Sequence, residues 1–169
     1  MFSYRFTNFK TNIESLDFSK TCIWIIHSDK IPPHIGISTK DHFFSLKATG
    51  KDFALNTTDV YNTLKSRQIE FILVETLIEL HVSFIEQEFM KFDHAIPYEA
   101  SCLVPILKIL NLDKSFLLVD MIKNLEINNL ILNNIAINLK GEFPEIGLYT
   151  ATDVALEIEK LQRVNRRKS

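Results

Sequence analysis

Cysteine is scarce, with only Cys22 and Cys102 in 169 residues. Two thiols in no Cys-x-x-Cys arrangement make neither a disulfide framework nor a paired zinc motif. Glycine is scarcer than usual at 4 residues, none grouped as G-x-G or G-K-[ST], so no phosphate-cradling loop is written into the chain. No apolar run approaches the roughly 18 residues of a membrane span. The opening "MFSYRFTNFKTN" has no apolar core or small-residue cleavage site, so no signal peptide is expected. Charge of one sign is also missing. The formal net charge of -2 offers no basic field for nucleic acid, and the one basic cluster is "RVNRRKS" at 163–169. These absences point to a reduced, cytoplasmic, soluble protein without a cofactor.

What is present is apolar. A hydrophobic fraction of 46%, including 13 Phe, suffices for one core, and the length suits one domain. Residues 1–162 are read as a single α+β domain, with 163–169 as a loose basic tail.

Three zones follow along the chain. "CIWIIH" (22–27), "HIGIS" (34–38) and "FFSLKA" (43–48) are rich in β-branched and aromatic residues and tightly connected. They predict a small antiparallel meander, with Gly50 and Asp52 in the next turn. A helix from Thr58 to about Arg67 and a strand over 69–75 come next. Ile78, Val82, Ile85, Phe89 and Phe92 then step by four and three, which predicts an amphipathic helix from Leu77. Further helices are expected over 101–110 with Ser101 as N-cap, and from Lys114 to about Asn128. "NLILNNIAINL" fits helix or strand. Thr150 and Asp153 form a capping-box variant that opens a last helix.

Cys102 and His34 are the candidate reactive groups. A thiol at a helix start feels the positive end of the macrodipole, which favours thiolate. The plainer alternative is packing, since cysteine is among the most buried residue types. Imidazole has an unperturbed pKa of about 6.5 and serves as base and then acid near neutral pH. Gly36, two residues on and on the same face, is expected to leave room for a helix or substrate. On the 43–48 strand Ser45 and Lys47 share a face. Ser45 can bond the imidazole weakly, whereas protonated Lys47 cannot accept its N–H.

Other groupings point elsewhere. His27, His34, His42 and Cys22 have zinc-ligand chemistry but no ligand spacing, so no metal site is expected. His81 and His94 are expected in solvent or in a satisfied hydrogen bond. Glu70 and Glu75 flank an apolar strand and are expected to be solvated at its ends.

"HIGIS…FFSLK", followed much later by "SCLVPILKIL", resembles the permuted papain-like cysteine hydrolases, relatives of lecithin–retinol acyltransferase and bacterial amidases. In that family a histidine leads a strand as H-x-G-[IV], a polar residue on the next strand orients it, and the cysteine comes later at a helix start. His34-Ile35-Gly36-Ile37 and Cys102 match, and "LYTATDVALEI" (148–158) resembles a segment opening a late helix in some bacterial members. The chain departs from the pattern in two places. "FSKT" stands where many members carry Gly-Asp, and Leu103 follows the cysteine where a polar residue is common.

The resemblance implies a small antiparallel sheet packed by helices. It implies attack by Cys102 on an amide or ester of a peptide, a peptidoglycan stem or a lipid acyl group. His34 would be base then acid, with Ser45 orienting it and the Cys102 amide holding the oxyanion. Two alternatives stand beside this reading: a noncatalytic interaction module on the same fold, and an unrelated small α/β structural protein.

Overall fold

The computed structural model describes residues 3–11, 13 and 16–169. Eight strands and five helices follow one another among these residues. They are β1 (Ser3–Arg5), β2 (Cys22–Ile26), β3 (His34–Thr39), β4 (His42–Lys47), β5 (Gly50–Asn56), α1 (Thr57–Ser66), β6 (Phe71–Thr76), α2 (Val82–Phe89), α3 (Val104–Ile109), α4 (Leu118–Ile127), β7 (Ile131–Ile137), β8 (Glu145–Gly147) and α5 (Ala151–Lys168). The fold is α+β. Six strands form an antiparallel sheet in the order β5-β4-β3-β2-β6-β7, and β1 pairs with β8 in a separate antiparallel ribbon.

Alternation along the strands divides the apolar side chains between two faces. On one face Ile23, Ile25, Ile35, Ile37 and Phe44 join one core with buried side chains of α2, α3, α4 and α5. On the other face Trp24, Phe43, Phe71 and Leu73 pack under Val60, Tyr61 and Leu64 of α1. Trp24 stacks on Phe71 at 5.9 Å and on Phe18 at 5.8 Å, and its ring N–H donates to Ser38 Oγ at 2.8 Å. This bond satisfies the one polar atom of a fully buried ring.

The expected meander is present and continues one strand further. β5 begins at Gly50 and includes Asp52, both placed in a turn by the sequence. Its polar side chains suit its position at the edge of the sheet. The helix expected from Leu77 starts only at Val82. His81 caps it, with Nδ1 accepting from the Ser83 amide at 3.3 Å. The Leu77 amide donates instead to the Leu130 carbonyl, and Thr76 Oγ1 accepts from Ile78 N, so 77–81 are committed elsewhere. The ambiguous segment is strand β7. α4 starts at Leu118 because Asp113 and Ser115 first close a side-chain turn.

The last helix is capped by Thr150 and Asp153 as expected. It then runs through the basic residues 163–168 that the sequence suggested were a loose tail. Arg166, Arg167 and Lys168 sit in its last turn, where cations favour the carbonyl end. No helix among the described residues is long and apolar enough to cross a membrane.

Candidate active site around His34 and Cys102

His34 is the first residue of β3 and pairs with Ile26 of β2. Gly36 pairs with Ser45 of β4, and Ser45 pairs in turn with Asp52 of β5. Residues two apart on a strand and paired residues on neighbours share a face, so His34, Ser45 and Asp52 point the same way. Ser45 Oγ lies 3.0 Å from His34 Nε2 and donates to Asp52 Oδ2 at 2.8 Å. Lys47 Nζ donates to Asp52 Oδ1 at 2.6 Å. The expected His34–Ser45 contact is therefore made, and Ser45 is itself fixed by a carboxylate. His34 Nδ1 makes no hydrogen bond among the described residues.

Gly36 has a different use from the one expected. A Cβ there would stand 2.6 Å from the Phe43 ring. The glycine accommodates a neighbouring aromatic, not a helix or substrate.

Cys102 lies in a turn, two residues before the first helical residue of α3, with Leu103 as the N-cap. This corrects the expected position inside the first turn. Ser101 Oγ accepts from the Leu103 amide at 3.2 Å, and Pro105 occupies the start of the helix, where its missing N–H costs nothing.

The half-buried Cys102 packs against the helix-covered core. The backbone amide of Ile35, the residue after His34, lies near enough to the sulfur to favour thiolate slightly, without forming a hydrogen bond to it. The opening for it comes from the sheet. The β3–β4 ladder ends at the Gly36–Ser45 pair, leaving Ile35 and His34 without partners in β4. No hydrogen bond joins Sγ to the imidazole in this structure.

The two groups are shifted in opposite directions. Burial pushes the Cys102 thiol up to about 11, and the amides of Ile35, Cys102 and Leu103 recover only part of the loss. Burial pushes the His34 imidazole down to about 4, against the pull of Asp52 and with a further push from Lys47 and His27. Both shifts favour the neutral forms over a thiolate and an imidazolium. His34 shares the face of Trp24, whereas Cys102 packs into the core on the opposite face, so the structure does not bring sulfur and ring into contact. Tyr149 lies close enough for the thiol to act on its phenol, which is raised first by burial and then by Cys102.

A cleft of about 510 Å³ opens beside His34, lined by Lys47, Asp52, Phe43 and Leu64 and by Leu161 and Val164 of α5. A second cleft of about 280 Å³ flanks Ser101 and Val104 and is lined by Ala155 and Ile158 of the same helix. α5 thus runs between the imidazole side and the thiol side. Gln162 fixes it there, donating to the carbonyls of Ala48 at 2.9 Å and Ala95 at 3.0 Å.

The other candidates are placed apart from this pair. Among the described residues no group of three or more His, Cys, Asp or Glu side chains is arranged to hold a metal ion. His81 and His94 have satisfied hydrogen bonds, to Ser83 Oγ and to the Ala95 carbonyl. His42 is the exception, with a buried Nδ1 that has no partner among the described residues. Glu70, expected in solvent, is buried at 5% exposure and accepts from Ser28 Oγ and the Lys140 amide, both at 2.8 Å. Cys22 is buried in the aromatic face, and burial, with Glu75 and Asp17 nearby, pushes its thiol up to about 12.

Asp52 was missed by the sequence reading. The signal for it was the hairpin: with Lys47 opposite Gly50, Ser45 must face Asp52. Comparison with protein families, with curated proteins and with solved structures finds no match to this chain.

Proposed function

We propose that this protein is a thiol hydrolase or acyl transferase of the permuted papain-like kind, acting on an amide or ester carbonyl through Cys102 and His34. The observation that supports this reading most is the convergence at the start of β3. An imidazole held through Nε2 by Ser45 stands next to Ile35, whose amide lies near the Cys102 sulfur. With both groups neutral at rest, the reaction begins as general-base catalysis. His34 takes the thiol proton as sulfur attacks the carbonyl carbon, then returns it to the leaving amine or alcohol. Water or an acceptor, activated by the same imidazole, releases the acyl group. The Leu103 amide is already held by Ser101, so the Cys102 amide is the oxyanion donor available from this turn.

Two observations favour the noncatalytic alternative: His34 and Cys102 belong to opposite faces of the sheet, and the thiol is held at about 11 with no bond to the ring. Iodoacetamide labelling at neutral pH, read by peptide mass spectrometry, separates the two. For an enzyme, Cys102 labels faster than Cys22, and His34→Ala slows Cys102 alone. Slow and equal labelling of both thiols, unchanged by His34→Ala, supports an interaction module.

A further inference from the structure

The hydrogen bonds from Lys47 to His34 have only one consistent direction. The Asp52 carboxylate can only accept. Lys47 Nζ donates to Oδ1, and the Ser45 hydroxyl spends its single proton on Oδ2. Ser45 Oγ can then meet the ring nitrogen only as an acceptor, so the proton at the 3.0 Å contact belongs to His34 Nε2. We infer that Asp52 is a positioning residue that acts through Ser45 to fix the His34 ring proton on Nε2, leaving Nδ1 as the basic nitrogen. Ser45 is fully buried, at 0% exposure, so water does not offer it a competing partner.

Lys47 has a part in this. A carboxylate has two equivalent oxygens, but an amide in its place has one oxygen and one NH₂. The ammonium would claim the oxygen and turn the NH₂ toward Ser45. The serine would then accept from the amide and donate its proton to Nε2. His34 would be forced into the Nδ1–H form, with its lone pair directed at Ser45. Asp52→Asn is therefore expected to reverse the ring although it changes one atom and keeps the shape. The catalytic consequence rests on the thiol–imidazole reading of the site; the ring tautomer does not.

The test is ¹⁵N–¹H correlation of the imidazole nitrogens in the intact, histidine-labelled protein at pH 7, with His34 assigned by its loss in His34→Gln. The wild type is expected to show Nε2–H alone, and Asp52→Asn to show Nδ1–H. Should that variant fail to fold, Ser45→Ala is the second: the fixed acceptor is gone, and the Nδ1–H form is expected beside Nε2–H. Nδ1–H in the wild type overturns the inference. So does Nε2–H persisting alone in Asp52→Asn, or in Ser45→Ala.

Cys102 labelling supplies the kinetic arm. Asp52→Asn is expected to slow it on the order of a hundredfold, the typical contribution of a positioned base, and Asp52→Glu to recover part of the rate. A tautomer switch with no slowing, in a protein where His34→Ala also has no effect, discards the enzyme reading and leaves the positioning role of Asp52 intact. Slowing by His34→Ala with no tautomer switch in Asp52→Asn does the reverse.

Discussion

The two faces of the large sheet are closed to very different degrees. One is covered by α2, α3, α4 and α5, and its strand residues are aliphatic apart from Phe44 and Phe53. The other lies under α1, which fully buries only Thr57 of its own residues, and relies on the Trp24 aromatic cluster to exclude water. His34, Ser45 and Asp52 all point to this thinly covered face, and the 510 Å³ cleft opens there. Cys102 comes from the thickly covered side and reaches the same strand end where the β3–β4 ladder stops. A linked polar array is tolerable where the cover is thin, because its outer members, Lys47 and Asp52, can still reach water. On the thick side the same groups would be stranded in hydrocarbon.

The largest expected effect breaks the thin face itself. Trp24→Ala removes the centre of the aromatic cluster and orphans the Ser38 hydroxyl. It is expected to cost about 3–5 kcal/mol in urea unfolding and to broaden the His34 ring signals. Ile106→Ala on the thick face is expected to cost about 2–5 kcal/mol while leaving those signals in place. If both variants disturb His34 alike, the two faces are not separate environments.

Acid sharpens the contrast next. The folded imidazole titrates near pH 4 against an ordinary 6.5, so below 6.5 the unfolded chain takes up a proton that the folded chain refuses. The stability this supplies is complete above about pH 6.5 and falls away as pH drops toward 4, amounting to up to about 3 kcal/mol. His34→Gln is expected to flatten that part of the pH–stability curve, measured by urea midpoints from pH 7 to 4.

A smaller change concerns the helix between the two clefts. Gln162→Ala removes both bonds from α5 to the Ala48 and Ala95 carbonyls and is expected to cost about 1 kcal/mol. α5 fully buries only Ala155 and Ile158, so its amides are expected to lose hydrogen-exchange protection before those of α3 or α4 do.

The smallest effect is local. Ala54 sits at φ 52°, a left-handed conformation that strains any residue with a Cβ. Ala54→Gly is expected to stabilise by roughly 0.5–1 kcal/mol or less, seen as a small rise in the thermal midpoint.

Much of the architecture was legible because the central strands are dense in β-branched and aromatic residues. "CIWII" and "HIGIST" have no other stable use than a sheet interior. β5 was not legible for the opposite reason: Gly-Lys-Asp at its start is the composition of a turn, and only edge placement lets such residues form a strand. The 77–81 segment carries the stripe of a helix but spends its Leu77 amide on Leu130, a contact distant in sequence. In the site, alternation placed Ser45 with Lys47 on one face of its strand, and the resemblance suggested pairing Ser45 with His34. Asp52 required knowing that the hairpin turns at Ala48-Thr49. The splay that lets Cys102 reach Ile35 has no local signature, since it depends on where one ladder stops.

The irregularity between β4 and β5 has a consequence for how the site survives change. Counting from the hairpin, Lys47 faces Gly50 and Ser45 faces Asp52; counting from α1, Phe43 faces Leu55. The two counts disagree by one residue, and Ala54 is the surplus. It works as an expansion joint in the strand. Phe53, next to Asp52, faces the helix-covered side by ordinary alternation and meets Phe44 edge-on at 5.3 Å, while the surplus residue keeps Leu55 opposite Phe43. Lengthening or shortening the chain at 54 is absorbed on the α1 side. Altering the two residues at 48–49 moves Asp52 out of phase with Ser45, so the tolerance of this hairpin to insertion and deletion should be sharply one-sided.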